Sequence, residues 1–308
     1  MACRVFEEIN IDGKQLVIRE PCSIRDYREL MDVQIKIWGM PGYIEAVTYH
    51  MLISGHRNGG ILIGVFDKKT GEAVGLTFGI PGFRNGQLYV YSHLFGFIPE
   101  LRNKGLGTIL KKYQRILALE KGYVLFRWTY DPLQSANAYF NIVKHGVIVR
   151  KFTPNYYGYL EDSINRGMPS DRFEAEWWIK SRRTMMVLED KVPKASLQDI
   201  LNLGGEYATK TSIKNNIVLL ENIDLDSRSD IVIVEIPYNI AKLRRISRDI
   251  LMNWRLKLRE LFNHYINVKG YIVIWMLVEK INGLNRSFYV LWRRSLDRVL
   301  AGDFPWSS

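Results

Sequence analysis

Cysteine is nearly absent from this chain: Cys3 and Cys22 are the only two in 308 residues. Neither has a Cys or His neighbour at metal-ligand spacing, so a disulfide scaffold and a zinc site are both disfavoured and reduced thiols are expected. Long apolar runs are also missing. The longest, 270–278, has the length of a strand, well short of the roughly 20 residues that span a bilayer. The opening Met1-Ala2-Cys3-Arg4-Val5-Phe6-Glu7-Glu8 lacks the apolar core of a signal peptide. A cytoplasmic protein without membrane partners is the expectation. His50, His56 and His264 show no metal-like spacing, no metal is expected, and no segment is of low complexity.

What is abundant is positive charge, and it is uneven. The net charge is +11. Residues 101–150 hold nine Lys/Arg against two Asp/Glu, and residues 251–308 hold nine against four. Such an excess is either a solvated surface or a site for a polyanionic ligand. Nucleic acid is one polyanion. A helical stretch carries Arg244, Arg245, Arg248, Arg255, Lys257 and Arg259, but Asp249 and Glu260 interrupt it and no base-reading motif accompanies it. No nucleic-acid partner is expected.

Hydrophobic periodicity divides the chain in two. Strands are expected near 16–19, 61–67, 73–80, 88–97, 123–130, 147–152 and 173–179. Helices are expected near 24–38, 44–54, 105–121 and 134–145. Ser23-Ile24-Arg25-Asp26 reads as a capping box. Gly39, Gly122 and Gly146 read as helix stops. Residues 1–183 are therefore expected to form one α/β domain, with a mixed, mostly antiparallel sheet between helices. Residues 184–308 read as a C-terminal α+β extension, with strands near 217–220, 231–236, 271–279 and 287–292 and one long helix over 239–265.

The most informative segment is 95–108: Phe95-Gly96-Phe97-Ile98-Pro99-Glu100-Leu101-Arg102-Asn103-Lys104-Gly105-Leu106-Gly107-Thr108. It reads as a strand, a tight glycine-bearing loop and a helix start. Backbone N–H groups in such a loop converge at the positive end of the helix dipole, which suits a pyrophosphate. A Cβ at Gly105 or Gly107 would crowd an approaching phosphate. The basic excess of 101–150 begins at this loop.

Arg102-Asn103-Lys104-Gly105-Leu106-Gly107 resembles the (Gln/Arg)-x-x-Gly-x-(Gly/Ala) signature of the GNAT acyltransferases, in that family's strand–loop–helix context. The resemblance covers about residues 14–181, and the whole chain is similar to longer GNAT chains with a C-terminal extension. It implies a splayed sheet, with acetyl-CoA or another acyl-CoA as cofactor. The amides of Lys104, Gly105, Leu106, Gly107 and Thr108 would hold the pyrophosphate, with Asn103 in the same loop and Arg102 beside the phosphates. The strand at Phe95 and Phe97 would part from the one near 126–129 and bind the pantetheine arm, with the Phe97 amide near the thioester carbonyl. The activity implied is N-acylation of a primary amine of a small molecule such as an amino acid. Alternatives are acylation of a protein Lys or N-terminus, and non-catalytic acyl-CoA binding. A homodimer is open.

Direct attack needs a proton acceptor for the amine and a proton for the leaving thiolate. Many family members supply the second from a Tyr at the position of Ile142, so Tyr139 and Asn141, on the same helix at other helical angles, are the candidates to substitute if the loop shifts, with Tyr139 preferred. His93, with the side-chain parity of Tyr91, Phe95 and Phe97, is either the acceptor of the amine proton or a histidine packed beneath the loop. Asp131 either binds the substrate ammonium or is a turn residue before Pro132. His145 reads as a partner of a helix C-terminus, and Glu45 as a favourable first-turn acid or part of an acceptor pocket. Tyr156, Tyr157, Tyr159, Trp177 and Trp178 wall an acceptor site or form packed core. Asp171-Arg172 and Arg182-Arg183 bind an acceptor carboxylate or form interface ion pairs.

Overall fold

Alternating and near-continuous apolar runs build strands here, and polar or glycine-bearing turns end them. The structure is a computed structural model and describes residues 4–158 and 168–307. The chain divides into two compact units at residue 128.

The first unit contains β1 (Val5–Ile11), β2 (Lys14–Arg19), α1 (Ile24–Trp38), α2 (Tyr49–Arg57), β3 (Ile61–Asp67), β4 (Ala73–Arg84), β5 (Gln87–Phe97), α3 (Leu106–Glu120) and the start of β6 (Leu125–Tyr130). The strands lie in the order β1-β2-β3-β4-β5-β6. Every pair is antiparallel except β5 with β6. Alternation along β3 explains how helices cover both faces. Leu62 and Phe66 face Leu30 and Ile37 of α1 and Leu52 of α2, and α3 packs on β3 from the other side. The expected capping box at Ser23 and Asp26 is present. The second helix starts later than expected because Thr48, not the Ile44 region, supplies the cap, accepting from the Met51 N–H.

Strand β1 escapes period counting because its Glu7, Glu8 and Asn10 sit among apolar residues on an exposed edge. Cys22 is disulfide-bonded, which corrects the expectation of a reduced thiol at that position.

The second unit adds α4 (Ser135–His145), β7 (Ile148–Thr153), β8 (Arg172–Trp178), α5 (Arg182–Leu188), α6 (Leu197–Asn202), β9 (Glu206–Tyr207), β10 (Thr209–Lys214), β11 (Ile217–Ile223), β12 (Ile231–Ile236), α7 (Ile240–Ile246), α8 (Arg248–Phe262), β13 (Ile272–Ile281), β14 (Leu284–Trp292) and α9 (Leu296–Leu300). Its sheet runs β8-β7-β13-β14-β12-β9, and β10 and β11 form a separate hairpin. On one face Ile148, Ile233, Ile274, Phe288 and Val290 pack with Leu197 and Ile200 of α6 and Val299 of α9. Phe152, Phe173, Phe262 and Tyr289 form an aromatic cluster with edge-to-face or tilted contacts. The long helix expected over 239–265 is two helices. Ser247 has extended backbone, ends α7 and caps α8 by accepting from the Ile250 N–H.

Candidate functional site

The first unit builds its site where β5 and β6 part. β5 pairs with β4 from Gln87↔Arg84 to Phe97↔Gly75. With β6 it pairs only at Val90↔Phe126 and Tyr91↔Arg127. Past Tyr91 the ladder stops and the sheet opens. The Ile98 N–H donates to the Val74 carbonyl at 3.0 Å, so antiparallel alternation turns the Phe97 amide away from β4, toward the opening. This is the splay expected near Phe95 and Phe97.

His93 does not sit as its sequence parity implies. The register slips between Phe78↔Leu94 and Gly79↔Ser92, which makes His93 the extra residue of a β-bulge. Ser92 faces α3, where its Oγ accepts from Gln114 at 3.1 Å. Leu94 packs with α1 and α2. Phe95 therefore returns to the α3 face, with Phe97 against it in an edge-to-face contact at 6.0 Å. One shared face for Tyr91, His93, Phe95 and Phe97 is thus corrected: the bulge separates Tyr91 from the two phenylalanines. His93 lies 6.2 Å from the Tyr91 ring. It is exposed at the surface, yet the protein around it desolvates the imidazole enough to lower its pKa.

The loop follows directly. Pro99–Leu101 makes one 3-10 turn and Arg102 is extended. Asn103 (φ 61°) and Gly105 (φ 81°) both adopt the left-handed region. Gly105 is the N-cap of α3 and has no side chain with which to cap it. The Thr108 N–H donates to the Gly105 carbonyl at 3.1 Å, so that amide is committed within the helix, contrary to its expected role. The first-turn amides of Leu106 and Gly107 receive no side-chain cap. No atom of the described residues lies within 4 Å of where a Gly105 Cβ would project. The loop is thus a donor-lined concavity of the kind that fits a pyrophosphate.

Its two cations are engaged elsewhere. Arg102 donates through Nε to the Phe97 carbonyl at 3.2 Å and through Nη2 to the Ile37 carbonyl, tying the loop to β5 and to the end of α1. Lys104 forms an ion pair with Asp12 of the β1–β2 turn. Through these two bonds Arg102 acts as a tether of the loop.

Beneath the opening lies a residue that sequence reading passed over. Lys111, on the second turn of α3, is only 3% exposed. Its Nζ lies 4.8 Å from the centroid of Phe95 on β5 and 4.2 Å from that of Trp128 on β6. It donates to Gln114 Oε1 at 2.9 Å. Gln114 Nε2 in turn donates to Thr77 Oγ1 at 2.8 Å and to Ser92 Oγ, which fixes the amide with its oxygen toward the ammonium. Burial pushes the Lys111 pKa from about 10.5 down to about 7. The available signal was helical spacing: Lys111 and Gln114 fall on the same stripe as Leu110, Leu117 and Ala118.

The other candidates belong to the second unit. Asp131 is 5% exposed and accepts bidentately from Arg255 at 2.8 and 2.6 Å, and from the Leu133 N–H at 2.9 Å. The carboxylate is a turn and ion-pair residue, a correction to the substrate-binding or relay role. Ile142 is fully buried. Tyr139 is half-buried and lines a cavity of about 640 Å³ with Ser135, Tyr238 and Val278. His145 caps its own helix, its Nδ1 lying 2.7 Å from the Phe140 carbonyl. Trp177 is core, and Tyr159 lies outside the described residues. Asp171 pairs with Arg259 at 2.8 Å. Arg183 is fully buried and donates to the carbonyls of Gly146 and Ile274, so it is not placed to bind a soluble carboxylate. Glu45 is exposed on a short 3-10 turn. Among the described residues no Cys, His, Asp and Glu group could hold a metal, and no helix is long and apolar enough to cross a membrane.

No family model matches the chain, and no curated protein does. Solved structures similar to it are acetyltransferases, matched over about half of its length. Ard1 from Thermoplasma volcanium is 19% identical, with 52% of this chain and 95% of that one covered and a TM-score of 0.38. For an acetyltransferase of the GNAT family from Streptococcus pneumoniae the values are 18%, 52%, 98% and 0.41. For Arabidopsis thaliana Naa50, in complex with the bisubstrate analogue CoA-Ac-MVNAL, they are 14%, 52%, 97% and 0.39.

Proposed function

We propose that this protein is an acyl-CoA-dependent N-acyltransferase that moves an acyl group, acetyl being the simplest, to a primary amine of a small molecule such as an amino acid. The observation that carries the reading is the uncapped start of α3 at Gly105, placed directly after a strand that has parted from its neighbour. In this reading the amides of Leu106 and Gly107 hold the pyrophosphate, with Asn103 and Gly105 shaping the turn. The Phe97 N–H, directed toward the opening, is available to the pantetheine arm or to a developing oxyanion. Acyl-CoA supplies an activated thioester. The sites are assigned to residues 1–183, with 184–308 as an extension.

Attack requires an uncharged amine. An imidazole whose pKa is lowered by desolvation stays neutral at neutral pH and so remains able to take a proton. His93, set outward by the bulge, is assigned that proton.

Calorimetric titration with acetyl-CoA tests the reading, alongside turnover against a panel of amines. Gly105→Val places a branched side chain in the open concavity and at an unfavourable φ. Its CoA affinity is expected to fall about a hundredfold, the worth of one or two hydrogen bonds to a charged phosphate. Wild-type protein that binds no CoA species, or a Gly105→Val variant that binds as well as wild type, removes the basis of the assignment.

A further inference from the structure

We propose that the second unit holds a binding site for a free α-amino acid, in the cleft where the chain leaves β12 to form β10, with Arg286 and Lys210 taking the carboxylate and Asp224 the ammonium. The inference stands apart from the acyl-CoA reading, because every residue it uses belongs to the second unit.

The cleft has a cause in the backbone. β9 pairs with β12 at Glu206↔Val232 and Tyr207↔Ile233, and the Ala208 N–H still donates to the Ile233 carbonyl at 2.9 Å. From Thr209 onward the chain belongs to the β10–β11 hairpin instead. A side chain replaces the lost rung: the Glu235 N–H donates to Thr209 Oγ1 at 2.9 Å. A strand that leaves its neighbour opens a gap, and here the gap is a cavity of about 560 Å³. That is ample for a small molecule.

The floor of the cavity is a buried ion pair. Glu235 is 2% exposed. It accepts from Arg286 Nε at 2.5 Å, from Arg286 Nη2, and from Thr211 Oγ1 at 2.8 Å. Thr211 Oγ1 in turn accepts from Arg286 Nη2 at 2.6 Å. The N–H donors of Nε and Nη2 are thus committed, whereas Nη1 has no partner among the described residues. This lock has two effects. It fixes the plane of the guanidinium, so the Nη1 donors are set in place before a ligand arrives. It also satisfies Glu235, which leaves that carboxylate unavailable to a ligand cation.

Around the floor the charges balance. Lys210 and Arg286 line the cavity together with Asp224 and Glu235. Lys210 is exposed and has no ion pair among the described residues. Asp224 Oδ1 accepts from the Asp226 N–H at 2.8 Å, and Oδ2 has no partner among the described residues. With Glu235 answered by Arg286, there remain a lysine, the open edge of a guanidinium and one carboxylate. A phosphate dianion would meet Asp224 as well as the cations, whereas a zwitterion meets each sign with its opposite. Tyr207, whose ring lies 6.2 Å from that of Phe288, and Ile223 supply an apolar wall. An α-amino acid carries the parts this lining answers: a carboxylate, an ammonium one carbon away, and a side chain.

Ligand-observed NMR on the full-length protein, with a panel of the common L-amino acids as probes, tests the site, and calorimetry then gives the Kd of the tightest. At least one amino acid is expected to bind. Its decarboxylated amine and its deaminated acid each lack one charged partner and are expected to bind at least about tenfold more weakly. Inorganic phosphate is expected not to displace it. Arg286→Lys keeps a cation beside Glu235 but loses the Nη1 edge, and should weaken binding about tenfold or more. Lys210→Ala and Asp224→Asn alter exposed side chains, so the fold is kept, and each should weaken binding about fivefold. Lys269→Ala, at an exposed position outside the cavity, should bind as wild type does. The inference is wrong if no amino acid of the panel binds, or if phosphate or either single-charge analogue binds as tightly as the parent. It is equally wrong if Lys210→Ala or Asp224→Asn binds as tightly as wild type, which would put the ligand elsewhere on the protein. CoA enters none of these outcomes: a protein that binds an amino acid here and binds no CoA keeps this site and loses the acyltransfer reading.

Discussion

The two units bury charge in opposite ways. The second surrounds its buried cations mostly with carboxylates: Arg255 meets Asp131, Arg259 meets Asp171, and Arg286 meets Glu235. The first buries Lys111 against ring faces and a side-chain amide. Paired charges satisfy each other, whereas burial displaces the Lys111 pKa down to about 7. Arg183 is the second unit's exception. It is buried between two main-chain carbonyls and over Phe304 at 4.6 Å, and burial lowers its pKa only to about 9, so it stays charged and acts as a structural clasp.

The sharpest test of this contrast is to remove one cation from each unit. Arg255→Met strands the Asp131 carboxylate in the interior, and unfolding in urea should show a loss of about 3–5 kcal/mol. Lys111→Met removes a buried ammonium held by Gln114 and by the ring faces of Phe95 and Trp128. Its stability should be unchanged or higher by about 1 kcal/mol. Equal losses in the two variants would erase the distinction between the two buried charges.

The same contrast explains what the sequence disclosed. Elements whose cause is local were legible: the Ser23 capping box, the strands at 61–67 and 231–236, the glycine stops, and the tight glycine-bearing loop before α3. Features that depend on partners distant in the chain were not. Asp131 looked available because Arg255, which occupies it, lies 124 positions away. Lys111 looked like one basic residue among many because the rings against it come from two strands, β5 and β6. The bulge at His93 was hidden because nothing in Tyr91-Ser92-His93-Leu94 marks an extra residue. Only the register against β4 reveals it, and it inverts every parity inferred beyond that point. Arg102 matched a motif position, but its side chain reaches Ile37 of α1, a contact no motif encodes.

The first unit also contains a paired charge, which gives the smallest and most specific prediction. Asp26 is 7% exposed. Burial by itself would raise its pKa, but the guanidinium of Arg19 at 2.9 Å and the N–H groups of Cys22 and Ser23 pull it down to about 2. A folded-state pKa below the ordinary 3.8 means that the carboxylate contributes its full stability above that value and loses it as the pH falls toward 2. Asp26→Asn, which cannot ionise, should therefore be less stable than wild type at neutral pH by on the order of 1 kcal/mol, a figure reduced for solvent screening. The gap should close between about pH 4 and pH 2. Thermal melts of both proteins across that range decide the matter. A gap that persists unchanged at the acid end would mean that Asp26 stabilises α1 through cap geometry alone, and that its charge contributes nothing.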